Sequence, residues 1–158
     1  MFNIGDKVSH PMHGAGVIVD IVDRSIDNKY QPFYLVDMVC GSMSVLIPCA
    51  SCESIGVRYI IGDSEAKQII ACIPELSVES DDNWSKRYKD NLEKIKSGDL
   101  YRVAEVVKSL MLRDRIKSLS TGERKLLGMA KSILVSELVL ATDGSVQDIE
   151  RMVIKSIK

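Results

Sequence analysis

Two hydrophobic periods divide the chain. Up to about residue 62 the apolar positions fall in short runs broken by Gly, Pro, Asn and Asp. The β-branched run Val17 to Val22 follows Gly14 and Gly16, which supply turn conformations. "IDNKYQP" reads as a turn cluster, "FYLVDMVC" as the next strand, and "GS" at Gly41 and Ser42 as a tight connection to "MSVLIP". "IGVRYI" supplies one more short strand. Short antiparallel strands punctuated by Gly and Pro predict a small β-barrel of the SH3 or Tudor type.

From about residue 64 the period becomes helical. "SEAKQIIACI" predicts a short helix capped by Ser64, with Ile69, Ile70 and Ile73 inward and Pro74 ending it. "ELSVESDD" reads as an acidic loop. Asn83 is placed to cap the next helix, whose Trp84, Tyr88, Leu92 and Ile95 form one stripe before Gly98 stops it. Asp99 caps a helix carrying Leu100, Val103, Val106, Val107 and Leu110. "STGE", Ser120 to Glu123, has the spacing of a capping box. The helix it opens turns Leu126, Leu127, Ala130, Ile133, Leu134 and Leu138 inward. Ser145 caps a last helix with Ile149, Met152, Val153 and Ile157 on its apolar side. The predicted class is α+β: a small N-terminal antiparallel barrel, residues 1–62, then a compact bundle of about five helices, residues 63–158.

Charge sharpens that division. The formal net charge is −1, yet residues 1–83 carry five Lys and Arg against twelve Asp and Glu. Residues 84–131 reverse this, with thirteen bases against six acids. An acidic module joined to a basic one suggests different partners, and the basic block is where a polyanion would bind. The reading that competes with this is a set of solvated helix faces.

Catalytic chemistry finds little support. The chain has two histidines, His10 and His13, and no nucleophile elbow, Walker loop or zincin motif. Cys49 and Cys52 make a C-x2-C pair, but Cys40 and Cys72 are not spaced to complete a zinc site, so small thiols without a metal are expected. No cofactor is expected. The sequence contains no apolar run of the roughly 18 residues that span a bilayer. Its start has no basic segment leading into an apolar one, so a cytoplasmic protein without a membrane partner is the expectation.

Trp84, the single tryptophan, stands in a first helical turn with Lys86 and Arg87. Free N–H groups at such a turn suit phosphates, and a Trp among bases could stack on or wedge against an unstacked step. Asp81 and Asp82 just before it would repel DNA. A partly buried staple residue is the other reading of Trp84.

The stretch "NWSKRYKDNLEKIKSGDLYRVAEVVKSLMLRDRIKSLSTGERKLLGMAKSILVSELVLA" closely resembles the C-terminal domain of the CarD/CdnL family of bacterial transcription regulators. The pattern F-x-I-G-D-x-V-x-H-P-x-H-G-x-G, with "LIP" and "GVR", is similar to that family's N-terminal module, which also occurs in the transcription-repair coupling factor. The resemblance implies a Tudor-like module that binds the RNA polymerase β subunit at its lobe and protrusion. It also implies a helical domain that stabilises the promoter open complex at the upstream edge of the bubble, largely without sequence specificity. By the same resemblance Trp84 is the minor-groove wedge, with Lys86, Arg87, Arg124, Lys125 and, less directly, Lys131 facing DNA. Met129 falls where some relatives carry Lys, and Leu46 where some carry Arg. Arg24 and the strand Val45, Leu46, Ile47 and Pro48 are the implied polymerase contacts, by strand pairing at an exposed edge. A monomer is the family expectation. A Tudor or SH3 barrel that binds nucleic acid independently of polymerase is the alternative.

Overall fold

The computed structural model describes residues 1–78 and 82–157. Of the acidic loop read from the sequence, Glu79, Ser80 and Asp81 lie outside the described residues, as does Lys158.

The first half forms a five-stranded antiparallel sheet in the order β4-β3-β2-β1-β5. Its strands are β1 (Lys7–His10), β2 (Gly14–Ile26), β3 (Lys29–Met38), β4 (Ser44–Pro48) and β5 (Arg58–Tyr59). A 3-10 turn, Cys49–Ser51, and a one-turn helix, α1 (Cys52–Ile55), lead from β4 to β5. The sheet curls over a core of Phe2, Val8, Ile18, Tyr34, Val36, Met38, Ile47, Cys52 and Val57. It is an open sheet rather than the closed barrel the sequence suggested, because β4 and β5 remain its two edges among the described residues.

The "IDNKYQP" segment also differs from its reading. Only Asp27 and Asn28 turn, both with positive φ (52° and 64°), the geometry of a two-residue hairpin. Lys29 to Pro32 pair as strand with Ile26 to Asp23. Pro32 is tolerated because β4 ends opposite Phe33, leaving that flank of β3 without a neighbour at position 32. A bulge between Ile18 and Asp20 adds one residue to β2 and increases its local twist. Beyond it the hairpin runs out past the core, leaving Ile21, Ile26 and Tyr30 exposed.

The second half holds α2 (Asp63–Cys72), a 3-10 turn (Ile73–Glu75), α3 (Trp84–Lys96), α4 (Leu100–Ile116), α5 (Thr121–Thr142) and α6 (Val146–Ser156). Four caps form as their chemistry predicts. Asn83, Asp99, Ser120 and Ser145 each accept a backbone N–H from the first turn they precede. Helix α2 starts two residues earlier than a Ser64 cap implied, with Gly62 as its N-cap. The predicted apolar sets of α4 and α5 line one core with Ile69, Ile73, Ile95, Val153 and Ile157. Met152 is the exception: it is exposed, one position round from buried Val153.

One buried cation replaces an apolar contact in this core. Lys108 lies on α4 and donates from Nζ to the carbonyls of Ile73, Pro74 and Leu76, at 2.8, 2.9 and 2.9 Å. Those carbonyls belong to the turn after α2, where helix-end acceptors need partners.

The two halves dock through α5. The Ala15 N–H of β2 donates to Ser136 Oγ at 2.8 Å, and that hydroxyl donates to Ile133 O at 3.0 Å. Arg58 of β5 holds Glu137 by two hydrogen bonds, and the Ile61 N–H donates to the same carboxylate at 2.9 Å. Gly14 permits this approach, since a Cβ there would lie 2.6 Å from Ser136 Oγ.

Candidate nucleic-acid interface at two helix starts

The N-termini of α3 and α5 lie side by side, joined by two rungs. In the upper rung Trp84 Nε1–H donates to Ser120 Oγ at 3.1 Å. In the lower rung Arg87 donates from Nε and Nη2 to the two oxygens of Glu123, at 2.8 and 2.9 Å. Each helix contributes residues three apart, one turn of rise, so the rungs stack. Both helices point their positive dipole ends and first-turn N–H groups at the same edge.

Trp84 is 45% exposed, and one face of its indole stacks on Tyr88 with ring centroids 5.2 Å apart. A groove of about 490 Å³ runs beside it, where Arg113, Lys117, Ser118, Leu119 and Ser120 face the carboxylates of Asp82 and Glu123. The ring is thus neither in the core nor a loose surface side chain.

Arg87 overturns its reading as a DNA contact. It is 9% exposed, and its guanidinium is turned inward onto Glu123. The inner stripe of α3 is Arg87, Asn91 and Ile95, with Tyr88 and Leu92 at its margin. Glu123 responds to this partner: hydrogen bonding from Arg87 holds its carboxyl below the ordinary value, against the opposing effect of burial. The capping box is therefore half-made. Ser120 accepts from Glu123 N at 3.2 Å, while the Glu123 carboxylate goes to Arg87.

The other predicted bases fall into different settings. Lys86 and Lys125 are exposed. Arg124 is exposed but tethered, donating to Leu119 O and Ser118 Oγ at 3.3 Å each. Lys131 pairs with Glu150 at 2.8 Å, one helix over, which dilutes its charge toward any anion. Sequence reasoning missed Arg113, Lys117 and the hydroxyl of Ser120. The signal for the two cations was the basic run ahead of "STGE", which ends α4 beside the start of α5.

At the other end, β4 is an edge strand, with Leu46 exposed and Val45 and Pro48 half-buried. The Ile47 side chain is buried in the sheet core, so a strand pairing at that edge would use its backbone. Arg24 is exposed on the hairpin beyond the bulge.

Groups that could do other chemistry are held quiet. His10 packs on His13, and burial followed by that neighbour's charge lowers its pKa to about 4. Its Nδ1 accepts the Met12 N–H at 3.0 Å, as a neutral ring must. Burial pushes all four thiols up. Among the described residues no three His, Cys, Asp or Glu side chains gather to hold a metal ion. No helix among them is long and apolar enough to cross a membrane.

Residues 2–61 match the CarD-like/TRCF RID domain, and residues 68–154 match the CarD C-terminal domain. The chain belongs to the CarD family, with a Tudor-like RID module ahead of a helical CarD C-terminal domain. It is also 36% identical over 138 residues to a Bacillus subtilis (strain 168) protein named "Putative transcription factor YdeB". That match covers 87% of this chain and 90% of the relative.

Proposed function

We propose that this chain is a CarD-type transcription regulator, without catalytic activity, that acts on RNA polymerase at promoters. Residues 1–62 form the polymerase-docking unit and residues 63–158 the DNA-contacting unit. The first docks on the β subunit, at the lobe and protrusion, through the exposed edge of β4 with Val45, Leu46 and Pro48, assisted by Arg24. The second presents Trp84 to the upstream edge of the transcription bubble, with Lys86, Arg124 and Lys125 toward the phosphates. It works as a monomer and reaches the nucleoid through polymerase.

The observation that supports this most is the placement of Trp84. A half-exposed indole stands at an edge where two helix N-termini converge. A wedge that fits an unstacked junction binds closed duplex less well, and only such a difference in affinity shifts the closed-to-open equilibrium. A fewfold longer open-complex lifetime needs about 1 kcal/mol. One stacked aromatic supplies roughly 1–3 kcal/mol, so a single ring suffices. Tethering through the first module raises the local concentration of the second, and strong free DNA binding is not required.

The test is the open-complex lifetime on a ribosomal-type promoter, with cognate polymerase and either wild type or Trp84→Ala. Extension by wild type that vanishes in the variant supports the wedge. Equal extension by both makes Trp84 a structural residue. No extension by either, together with no retention on core polymerase, favours a nucleic-acid binder that acts independently of polymerase.

A further inference from the structure

The indole of Trp84 is constrained on three sides. Tyr88 covers one face, at an interplanar angle of 20°. Gly122 lies against the benzo edge, where a Cβ would come 3.4 Å from Cζ2. Ser120 takes the pyrrole edge through the 3.1 Å hydrogen bond from Nε1. The Arg87–Glu123 rung below ties together the helices that carry the ring and its acceptor.

Indole has one hydrogen-bonding group, and it is a donor. Every base pair presents acceptors in the minor groove, and a free indole N–H would be drawn to them or to a phosphate. With that donor turned inward to Ser120, beside the Glu123 carboxylate that it also favours, the exposed part of the ring offers only apolar and π surface.

We infer that Ser120 is a positioning residue for Trp84: it fixes the ring in one orientation and withdraws its donor, so that the ring meets DNA by shape and stacking alone. This deepens the proposed wedge and rests on that reading for its DNA half. Ser120 therefore has two duties from one oxygen, as N-cap of α5 and as acceptor for the indole. The orientation is set before any partner arrives, which lowers the ordering cost of binding.

The two duties can be separated. Gly is nearly as good an N-cap as Ser, costing a few tenths of a kcal/mol, but it has no hydroxyl for Trp84. Ser120→Thr keeps both functions. Because the full chain has a single Trp, its emission reports this ring alone. In Ser120→Gly, acrylamide quenching should rise about twofold and anisotropy fall, as expected for a ring released along one edge. The thermal midpoint should hardly move, and Ser120→Thr should match wild type. Gly122→Ala, whose methyl would make ordinary contact with the ring, should lower quenching. In the open-complex assay Ser120→Gly should lose most of the lifetime extension that Trp84→Ala loses, and Ser120→Thr should keep it.

Unchanged quenching in Ser120→Gly with unchanged emission in Gly122→Ala overturns the positioning role. Raised quenching with full lifetime extension overturns its relevance to DNA. If Trp84→Ala itself leaves the lifetime unaltered, the wedge reading fails and the DNA half of the inference with it, while the quenching data still decide whether Ser120 fixes the ring.

Discussion

Arg58 in the last short strand meets Glu137, in the C-terminal third of the longest helix, through two hydrogen bonds of 2.7 and 2.9 Å. Glu137 is completely buried, so this pair places a carboxylate inside the junction between the modules. Removing the cation strands that charge, which typically costs about 3–5 kcal/mol. Arg58→Met should therefore lower stability by about 3 kcal/mol in urea unfolding, since the Ile61 N–H still serves the carboxylate. Replacing both partners, as Arg58→Met with Glu137→Met, should recover part of the loss.

The Arg87–Glu123 rung gives a pH signature. The folded carboxyl of Glu123 lies below its ordinary value of 4.5, chiefly through the Arg87 hydrogen bonds. A depressed carboxyl contributes stability that is fully present above the unfolded value and is lost as pH falls through the folded one. Unfolding free energy measured from pH 6 downward should drop below about pH 4.5 with a contribution from this group. Glu123→Gln should be less stable than wild type at pH 7 and should show a shallower acid limb.

Gly14 tests how the modules meet. Its φ of +85° disfavours an L side chain, and an added Cβ would collide with Ser136 Oγ and Ile133 Cα. Gly14→Ala should destabilise by about 2 kcal/mol or more, from backbone strain and weakened docking together. Far-UV circular dichroism should stay near native while hydrogen exchange at Ala15 rises.

Salt dependence should sort the cations. Removing a cation that neutralises one phosphate lowers the slope of log K against log salt by about 0.9 for duplex DNA. Lys125→Ala, on an exposed position, should lower it by about that amount. Lys131→Ala should lower it less, because Glu150 already engages that ammonium. Arg87→Met should act on stability rather than on the slope. Fluorescence anisotropy on a labelled fork duplex at several salt concentrations reads all three.

What is legible in the sequence is what local chemistry determines. The caps at Asn83, Asp99, Ser120 and Ser145 depend on residues within one turn, and each forms. The apolar faces of α4 and α5 follow from period alone. Arg87 misleads because its partner lies 36 residues away, and a charge beside Trp84 looks solvated until α5 is packed against it. The burial of the Ile47 side chain shows that an edge strand still turns alternate side chains into the core. The outward hairpin is hidden because Asn, Lys, Gln and Pro suggest a long turn, whereas two positive-φ residues suffice. The pairing of Trp84 with Ser120 carries no periodic signal at all.

The hydrogen bond from Ala15 to Ser136 spans 121 residues of chain. During synthesis the strands that carry Ala15 and Arg58 leave the ribosome well before Glu137 is made. At about 5–20 residues per second, the gap between Arg58 and Glu137 is several seconds, ample time for a small sheet to fold. Throughout that interval the docking face of the first module stands open to water, with Ala15 still lacking its acceptor. The order of translation thus gives the sheet a head start over α5, the element that docks on it.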